Sequence, residues 1–269
     1  MTFKYVGVAA LFGLALTQAS PPLAEELVKF EAAARRLEQN GGHEAFPIQG
    51  YLTRPRGKGP FPAVVLLHSC LGMPADKRSI GEMIAGWGYV ALFVDDFSTR
   101  GLTETCSIDF KEALSDAYGA LAFLSQLPYI DRTRIAVVGY SQGADTALEI
   151  ASSRSLSGFA GLDGAKFKAV AAFYPPCANQ PDARLDMATL ILVGELDEVT
   201  PAADCRRLAE RQTGSGVRLV VYPGARHLFD DPAFALGKRL DGMFLQYDRT
   251  AAEQSRAELR DFLSAKLAR

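Results

Sequence analysis

A serine between two glycines is the first feature of this 269-residue chain that could carry chemistry. Residues 139–143, Gly-Tyr-Ser-Gln-Gly, fit the pattern G-x-S-x-G, follow a predicted strand at 134–139 and precede a predicted helix at 144–153. Such a tight strand-to-helix turn exposes the serine hydroxyl at the edge of a sheet and requires nearly bare flanking positions. Ser141 is therefore the candidate nucleophile, and a capping serine in an ordinary turn is the alternative.

A serine hydroxyl is a poor nucleophile unless a base removes its proton. His227 follows the apolar run 217–222 and comes after Ser141, in the chain order of nucleophile, acid and histidine that such a site requires. His68 precedes Ser141 and fits an oxyanion loop better. We therefore predict that His227 is the base, although a surface loop histidine is the simpler interpretation of that residue alone.

The base needs a carboxylate that holds its tautomer and stabilises the imidazolium. Asp197 directly follows the predicted strand 189–194, and Glu195 and Glu198 are its rivals. Because each predicted triad member follows its own strand, all three can meet at the carboxyl edge of a parallel sheet. The alternative for Asp197 is a helix N-cap ahead of Pro201.

The oxyanion that forms during attack needs backbone donors. One predicted donor is the amide of Gln142, directly after the nucleophile, and the other is the amide of Cys70 in the loop 68–72. The Cys70 side chain is not a candidate nucleophile because no elbow surrounds it. An ordinary turn is the alternative interpretation of this loop.

The elements that must position these residues alternate between apolar strands and helical stretches. Strands are predicted at 48–52, 63–68, 89–94, 134–139, 167–174, 189–194 and 217–222, and helices at 21–38, 76–87, 109–127, 144–153, 201–213 and 250–268. This alternation is typical of an α/β protein with a mostly parallel central sheet and helices on both faces. Segments 153–166 and 231–249 are predicted as covers over the site.

Residues 1–19 resemble a signal peptide, with Lys4 ahead of an apolar stretch at 5–16 and small residues before a cut at Ser20. An uncleaved anchor or a buried helix is the alternative. We predict an exported protein, periplasmic or secreted, in which residues 20–269 form one domain without stable membrane insertion. The formal net charge of −2 and the lack of a basic cluster argue against a nucleic-acid partner.

The chain has four cysteines, an even number that suggests disulfides in an exported protein. We favour a Cys177–Cys205 pair, since each follows a different predicted strand on the same side of the sheet. Cys70 and Cys106 then form the other pair or stay free, and four buried thiols are the alternative. The spacings lack the patterns of a zinc site, so we predict no metal and no cofactor.

Eight segments together resemble the dienelactone hydrolase family, in its exported, cysteine-containing branch. They are 61–68, 88–91, 94–101, 116–122, 139–143, 173–177, 194–197 and 222–227. The resemblance implies an α/β-hydrolase fold and hydrolysis of esters and lactones without a cofactor. It also places the catalytic triad on Ser141, Asp197 and His227.

The chain departs from dienelactone hydrolase itself at two positions. A serine, Ser141, stands where that enzyme has its nucleophilic cysteine, and Ser69 stands at the position of a glutamate that gates the cysteine. We therefore expect an ordinary serine-hydrolase cycle and do not carry over the dienelactone substrate. Arg100 resembles the family's arginine that grips a substrate carboxylate, and pairing with Asp95 or Asp96 is the alternative.

The sequence thus predicts a serine hydrolase that cleaves ester or lactone bonds of a small molecule, with an acid group on that molecule if Arg100 binds it. A peptidase or amidase on the same fold, and a catalytically silent binding protein, are the competing functions. Five aromatic residues are predicted either to line an acyl pocket or to belong to the core: Phe159, Phe229, Phe234, Phe244 and Tyr247.

Overall fold

The computed structural model describes residues 23–34, 46–108, 110–152, 159, 162–214 and 216–269. The signal peptide predicted for residues 1–19 lies outside them, as does most of the cover predicted for 153–166. Within the described ranges, no helix has the length and apolar character needed to cross a bilayer.

An eight-stranded sheet forms the centre of the fold, in the order β1-β2-β4-β3-β5-β6-β7-β8. Its strands are β1 (Glu25–Glu31), β2 (Pro47–Thr53), β3 (Phe61–Leu67), β4 (Val90–Asp95), β5 (Ile130–Tyr140), β6 (Ala169–Phe173), β7 (Ala188–Gly194) and β8 (Val217–Tyr222). Strands β3 to β8 pair in parallel, whereas β2 pairs antiparallel with both β1 and β4. The predicted α/β architecture is confirmed.

Helices cover both faces of this sheet. They are α1 (Lys77–Gly86), α2 (Ala113–Gln126), α3 (Gln142–Ala151), α4 (Ala202–Glu210) and α5 (Arg249–Lys266). Along β3, Val65 and Leu67 pack into the apolar cluster under α2, α3 and α4, while Val64 and Leu66 pack under α1 and α5. Burial on both faces explains why these strands are continuous apolar runs rather than alternating ones.

The predicted helix over 21–38 is wrong in its described part, because residues Glu25–Glu31 form the edge strand β1. Phe30 is buried against the sheet while Lys29 and Glu31 are exposed, a period of two rather than of 3.6. A short apolar segment fits either period, so the periodicity alone does not distinguish them. Antiparallel pairing with β2, which joins Val28 to Gly50, favours the strand.

The segment 231–249, predicted as a cover, contains a small hairpin of β9 (Lys238–Leu240) and β10 (Met243–Leu245). Leu245 forms a parallel bridge with His227, so the hairpin packs beside the histidine loop. Phe229 and Phe234 are buried in the core under α1 and α5, and Phe159 packs against Tyr118 in the other core. These three aromatic residues therefore belong to the core.

Candidate active site

Ser141 stands at a strained turn between β5 and α3, with φ 52° and ψ −110°. A Cβ atom on Gly139 would lie 2.0 Å from the Gly143 carbonyl oxygen, and one on Gly143 would lie 2.5 Å from the Leu67 carbonyl oxygen. Neither position therefore tolerates a side chain. This strand-turn-helix geometry is the nucleophile elbow that the sequence pattern predicts.

The structure brings the three predicted triad residues together. Ser141 Oγ lies 3.1 Å from His227 Nε2, and His227 Nδ1 lies 2.8 Å from Asp197 Oδ2. A carboxylate only accepts, so Nδ1 carries the proton and Nε2 is left as the acceptor for the serine hydroxyl. All three side chains are buried at the carboxyl edge of the sheet. The geometry matches a serine nucleophile, a general base and an orienting acid.

The Asp197 carboxylate is held by the turn that follows it. Its Oδ1 accepts hydrogen bonds from the amides of Val199 at 2.9 Å and Thr200 at 2.8 Å, and its Oδ2 accepts from the Thr200 hydroxyl at 2.9 Å. Helix α4 begins at Ala202 after this turn. Asp197 thus organises the turn ahead of α4 but does not cap that helix, whose N-cap is Pro201, and it contacts His227 as well.

The two rival carboxylates face other partners. Glu195 accepts a hydrogen bond from the amide of Gly224, and Glu198 pairs with Arg226 at 3.1 Å on the exposed surface. Among the described residues, His227 contacts neither of these carboxylates, so Asp197 is the acid that the geometry supports.

Thr200 is a site residue that the sequence analysis did not single out. Its hydroxyl lies 3.2 Å from His227 Nδ1 and 3.0 Å from the Tyr174 carbonyl oxygen, in addition to its contact with Asp197. The Tyr174 ring packs on the His227 ring with centroids 4.6 Å apart. A hydroxyl three residues after the predicted acid, within the same turn, is the signal that could have identified Thr200.

Tyr174 also connects the site to a buried carboxyl group. Its hydroxyl donates to Asp230 Oδ1 at 2.9 Å. Burial raises the pKa of Asp230 to about 6, and the Tyr174 hydrogen bond opposes that rise. Burial and the neighbouring Asp230 also raise the pKa of Tyr174, which stays protonated and can donate.

The predicted oxyanion donors are the amides of Gln142 and Cys70, and the segment 105–106 contacts both residues. Gln142 is the first residue of α3, where backbone N–H groups have no acceptor within the helix. Cys70 forms a disulfide with Cys106, and its carbonyl accepts a hydrogen bond from the Thr105 amide at 2.8 Å. The Thr105 hydroxyl donates to the Gln142 side chain at 2.8 Å. The roles of the two amides stay predictions.

A second disulfide joins Cys177 to Cys205, which confirms the favoured pairing. It ties α4 to the segment after β6. The sequence predicted that Cys70 and Cys106 either pair or stay free. They form a disulfide. Two disulfides indicate folding in an oxidising environment.

A comparison with known families matches residues 48–267 to the model of the dienelactone hydrolase family. The chain belongs to the dienelactone hydrolase family. A curated relative of this family member, the esterase FrsA of Enterobacter sp. (strain 638), is 29% identical over 152 residues. That match covers 54% of this chain and 34% of the relative, so this chain aligns with only about a third of FrsA.

Solved structures share the fold of this dienelactone hydrolase family member. The dienelactone hydrolase-like promiscuous phosphotriesterase P91 from metagenomic libraries has a TM-score of 0.69 at 20% identity, covering 91% of this chain and 100% of its own. A putative dienelactone hydrolase from Klebsiella pneumoniae has a TM-score of 0.63 at 18% identity, covering 89% and 99%. At these identities the likeness shows the α/β-hydrolase fold alone.

In this family member, the Arg100 guanidinium is engaged by a buried carboxylate. Its two terminal nitrogens contact the two oxygens of Asp116 at 2.6 and 2.9 Å, and one also donates to the Asp96 carbonyl oxygen at 2.6 Å. The alternative given above was that Arg100 pairs with Asp95 or Asp96. The side-chain partner of Arg100 is instead Asp116, from α2. Burial raises the pKa of Asp116 and of Asp96 to about 7, and Arg100 opposes both rises.

Beside Ser141, an open cavity of about 630 Å³ lies on the α2 and α3 side of the sheet. Thr105, Phe110, Gln142 and Pro176 contribute to its walls, together with Ser141 itself. Arg100 does not line it. The cavity gives a small molecule access to the nucleophile. Among the described residues, no cluster of histidine, cysteine, aspartate and glutamate could hold a metal ion.

Proposed function

We propose that this protein is a serine hydrolase that cleaves carboxylic ester or lactone bonds of a small molecule through an acyl-enzyme on Ser141. The observation that carries the proposal is the continuous hydrogen-bonded chain from Ser141 Oγ through His227 to Asp197, at a strained elbow beside an open cavity. Family membership supports ester and lactone bonds as the target, and an esterase among its relatives agrees with it.

In the first half of the cycle, His227 Nε2 takes the hydroxyl proton as Ser141 Oγ attacks the carbonyl carbon. The amides of Gln142 and Cys70 donate to the oxyanion. As the tetrahedral intermediate collapses, the alcohol leaves with the proton from His227 and the acyl group stays on Ser141. The Asp197 carboxylate stabilises the imidazolium between these two proton transfers, because it already contacts Nδ1 at 2.8 Å.

In the second half, a water molecule takes the place of the alcohol and repeats the attack. His227 removes a proton from that water and returns it to Ser141 when the acid leaves. Water and ester supply every atom and proton of the cycle, so the proposal needs no cofactor. The contact of Arg100 with Asp116 gives no support to an acid group on the substrate, and we therefore propose none.

Export to the periplasm or the exterior belongs to the same proposal. The two disulfides support it, since such bonds persist in oxidising compartments. The predicted signal peptide at residues 1–19 would direct the transport.

Hydrolysis of p-nitrophenyl butyrate by the protein and its Ser141→Ala variant tests this function. We expect release of p-nitrophenol by the parent and a loss of at least about 10³-fold in kcat for the variant, since removing the nucleophile removes the covalent route. Ser125→Ala is the matched control, because its hydroxyl donates within α2 to the Leu121 carbonyl. Undiminished activity in Ser141→Ala would overturn the proposal.

A further inference from the structure

The open cavity beside Ser141 continues into a second cavity of about 500 Å³. The two cavities share three lining residues, namely Asp145, Glu149 and Asn179. The second cavity then reaches the residues 180–184, which lie between β6 and β7. Because the same side chains line both cavities, they form one groove that begins at the nucleophile. We call it the α3 groove.

The spacing of residues along α3 sets the direction of this groove. Ser141 is the N-cap of the helix, and Asp145 and Glu149 follow at steps of four residues, which places them on one face of the helix. From Gln142 to Glu149 the helix rises about 10 Å at the usual rise per residue. The groove therefore extends well past the reacting carbonyl and has room for a group larger than a short alkyl chain.

The groove reaches the reacting centre itself. Ser141 lines it, and so do Gln142 and Cys70, whose amides are the predicted oxyanion donors. Thr200, which contacts His227, lines it as well. A molecule that occupies the groove therefore lies next to the nucleophile.

The lining of the groove combines apolar and hydrogen-bonding side chains. The chain that leads into α2, together with the first turn of that helix, contributes Ile108, Phe110 and Leu114. The helix α3 and the segment after β6 contribute the carboxylates and amides. A hydrocarbon chain would cover these polar groups without offering them hydrogen bonds, which costs free energy. A sugar ring presents both C–H surface and hydroxyl groups, so it matches both parts of the lining.

Hydrogen bonds already orient the polar part of the groove. Asp145 Oδ2 accepts from Asn179 Nδ2 at 2.8 Å, and Asp145 Oδ1 accepts from Gln180 Nε2 at 3.0 Å. A carboxylate offers about four acceptor sites, so about two remain for the hydroxyl groups of a ligand. Side chains that are held in place before binding lower the entropic cost of binding.

The charges along the groove nearly balance. Three carboxylates and two cationic groups line it: Asp145, Glu149, Asp182, Lys111 and Arg184. Because neither sign dominates, the groove gives no strong advantage to a charged molecule. A hydroxyl group both donates and accepts, so it can pair with carboxylate, amide and cation alike.

We propose that the α3 groove binds a sugar-like polyhydroxyl alcohol and that the protein removes an acyl group esterified to it. The inference rests on the proposed esterase function and specifies its substrate class. A molecule rich in hydroxyl groups enters an ester as the alcohol, so the sugar is the leaving part. Ser141 Oγ attacks the carbonyl carbon, and the sugar hydroxyl departs with the proton from His227. Other hydroxyl groups of the sugar donate to the Asp145 carboxylate and pair with the Asn179 amide.

Two acetates test the preference for hydroxyl groups: glucose 6-acetate and cyclohexylmethyl acetate. Both are acetates of a primary alcohol on a six-membered ring, and only the first carries ring hydroxyl groups. A pH-stat records acid release, and each kcat/KM is divided by the rate constant of hydroxide-catalysed hydrolysis to remove intrinsic reactivity. We expect glucose 6-acetate to exceed cyclohexylmethyl acetate by about 5- to 30-fold, the worth of two neutral hydrogen bonds. A ratio of one or below would overturn the inference.

A second pair of acetates tests the charge of the alcohol. Acetylcholine and 3,3-dimethylbutyl acetate have nearly the same shape, and only acetylcholine carries a positive charge. We expect their corrected kcat/KM values to agree within about 3-fold, because the charges along the groove nearly balance. A preference for acetylcholine above about 10-fold would show that the groove selects cations and would overturn the inference.

Two variants connect the sugar preference to the groove. Asp145→Ala and Asn179→Ala should each lower the ratio of glucose 6-acetate to cyclohexylmethyl acetate by about 2- to 10-fold, since each removes a hydrogen-bonding partner. The loss should appear in KM for glucose 6-acetate, because these contacts lie away from the reacting atoms. Asp204→Ala is the matched control, since Asp204 lies on α4, pairs with Arg207 and lines neither cavity. It should keep the parent's ratio.

The outcomes separate this inference from the proposed function. Hydrolysis of p-nitrophenyl butyrate with no preference for the sugar ester, or a ratio unchanged in both variants, would overturn the groove assignment alone. If Asp145→Ala does not fold, the parent's ratio and Asn179→Ala decide in the same way, because Asn179 is exposed and its truncation leaves the core intact. If no ester is hydrolysed and a fluorophosphonate does not label Ser141, the proposed function fails and the inference fails with it.

Discussion

Replacement of Thr200 by valine removes one hydroxyl from the centre of the site while keeping the shape of the side chain. That hydroxyl lies 2.9 Å from Asp197 Oδ2, 3.2 Å from His227 Nδ1 and 3.0 Å from the Tyr174 carbonyl oxygen. These contacts are to the acid and the base rather than to Ser141, so we expect Thr200 to act as a positioning residue for both.

The expected loss follows from the hydrogen bonds removed. A hydrogen bond to a charged group is worth about 1.5 to 3 kcal/mol, and Asp197 keeps its two backbone donors and His227. If the lost bond matters mainly while the imidazolium exists, kcat should fall by about 10- to 100-fold with KM nearly unchanged. The unfolding free energy should also fall by about 1 to 3 kcal/mol, because a buried acceptor loses its donor.

The assay is steady-state hydrolysis of p-nitrophenyl butyrate by Thr200→Val and by Thr200→Ser, with urea unfolding of both. Thr200→Ser keeps the hydroxyl and should retain most of kcat. Equal damage in the two variants would show that the methyl group, rather than the hydrogen bonds, matters. A Thr200→Val protein with the parent's kcat would refute the positioning role.

Two further predictions concern the buried charges behind the site. Arg100→Ala should lower the unfolding free energy by about 1 to 3 kcal/mol, since the fully buried Asp116, whose pKa is already raised to about 7, loses its two donors and takes up a proton, and an unchanged unfolding free energy in urea would contradict this. Burial raises the pKa of Asp96 to about 7, so the folded state penalises its ionised form and loses stability as pH rises from about 4 to about 7. Asp96→Asn should therefore gain stability over the parent as pH rises, by up to about 4 kcal/mol at pH 8, and a gain independent of pH would count against this assignment.

The triad geometry was predictable because it depends on local order along the chain. Apolar runs identify buried parallel strands, and the carboxyl ends of such strands lie at one edge of the sheet. The sequence therefore predicts that Ser141, Asp197 and His227 lie close together. The glycines around Ser141 encode a turn that few sequences permit. The choice of Asp197 over Glu195 and Glu198, by contrast, required the contacts of each side chain.

The remaining features depend on contacts between distant segments. The sequence could not distinguish the edge strand β1 from a helix. Its strand conformation depends on pairing with β2, and the periodicity of β1 alone does not reveal that pairing. The partner of Arg100 comes from α2, where Asp116 sits within a largely apolar helix face. The α3 groove likewise arises only when α3 packs beside the chain leading into α2 and the segment after β6.

The bond between Cys70 and Cys106 has a consequence for when the protein becomes active. One of its sulfurs belongs to Cys70, whose amide is a predicted oxyanion donor. The other belongs to Cys106, which follows Thr105 in the chain. The Thr105 hydroxyl contacts Gln142, the residue of the second predicted donor. We therefore expect the geometry of both predicted donors to depend on oxidation of this thiol pair. We expect a chain made in a reducing compartment to remain latent there and to mature into an enzyme only after it reaches an oxidising one.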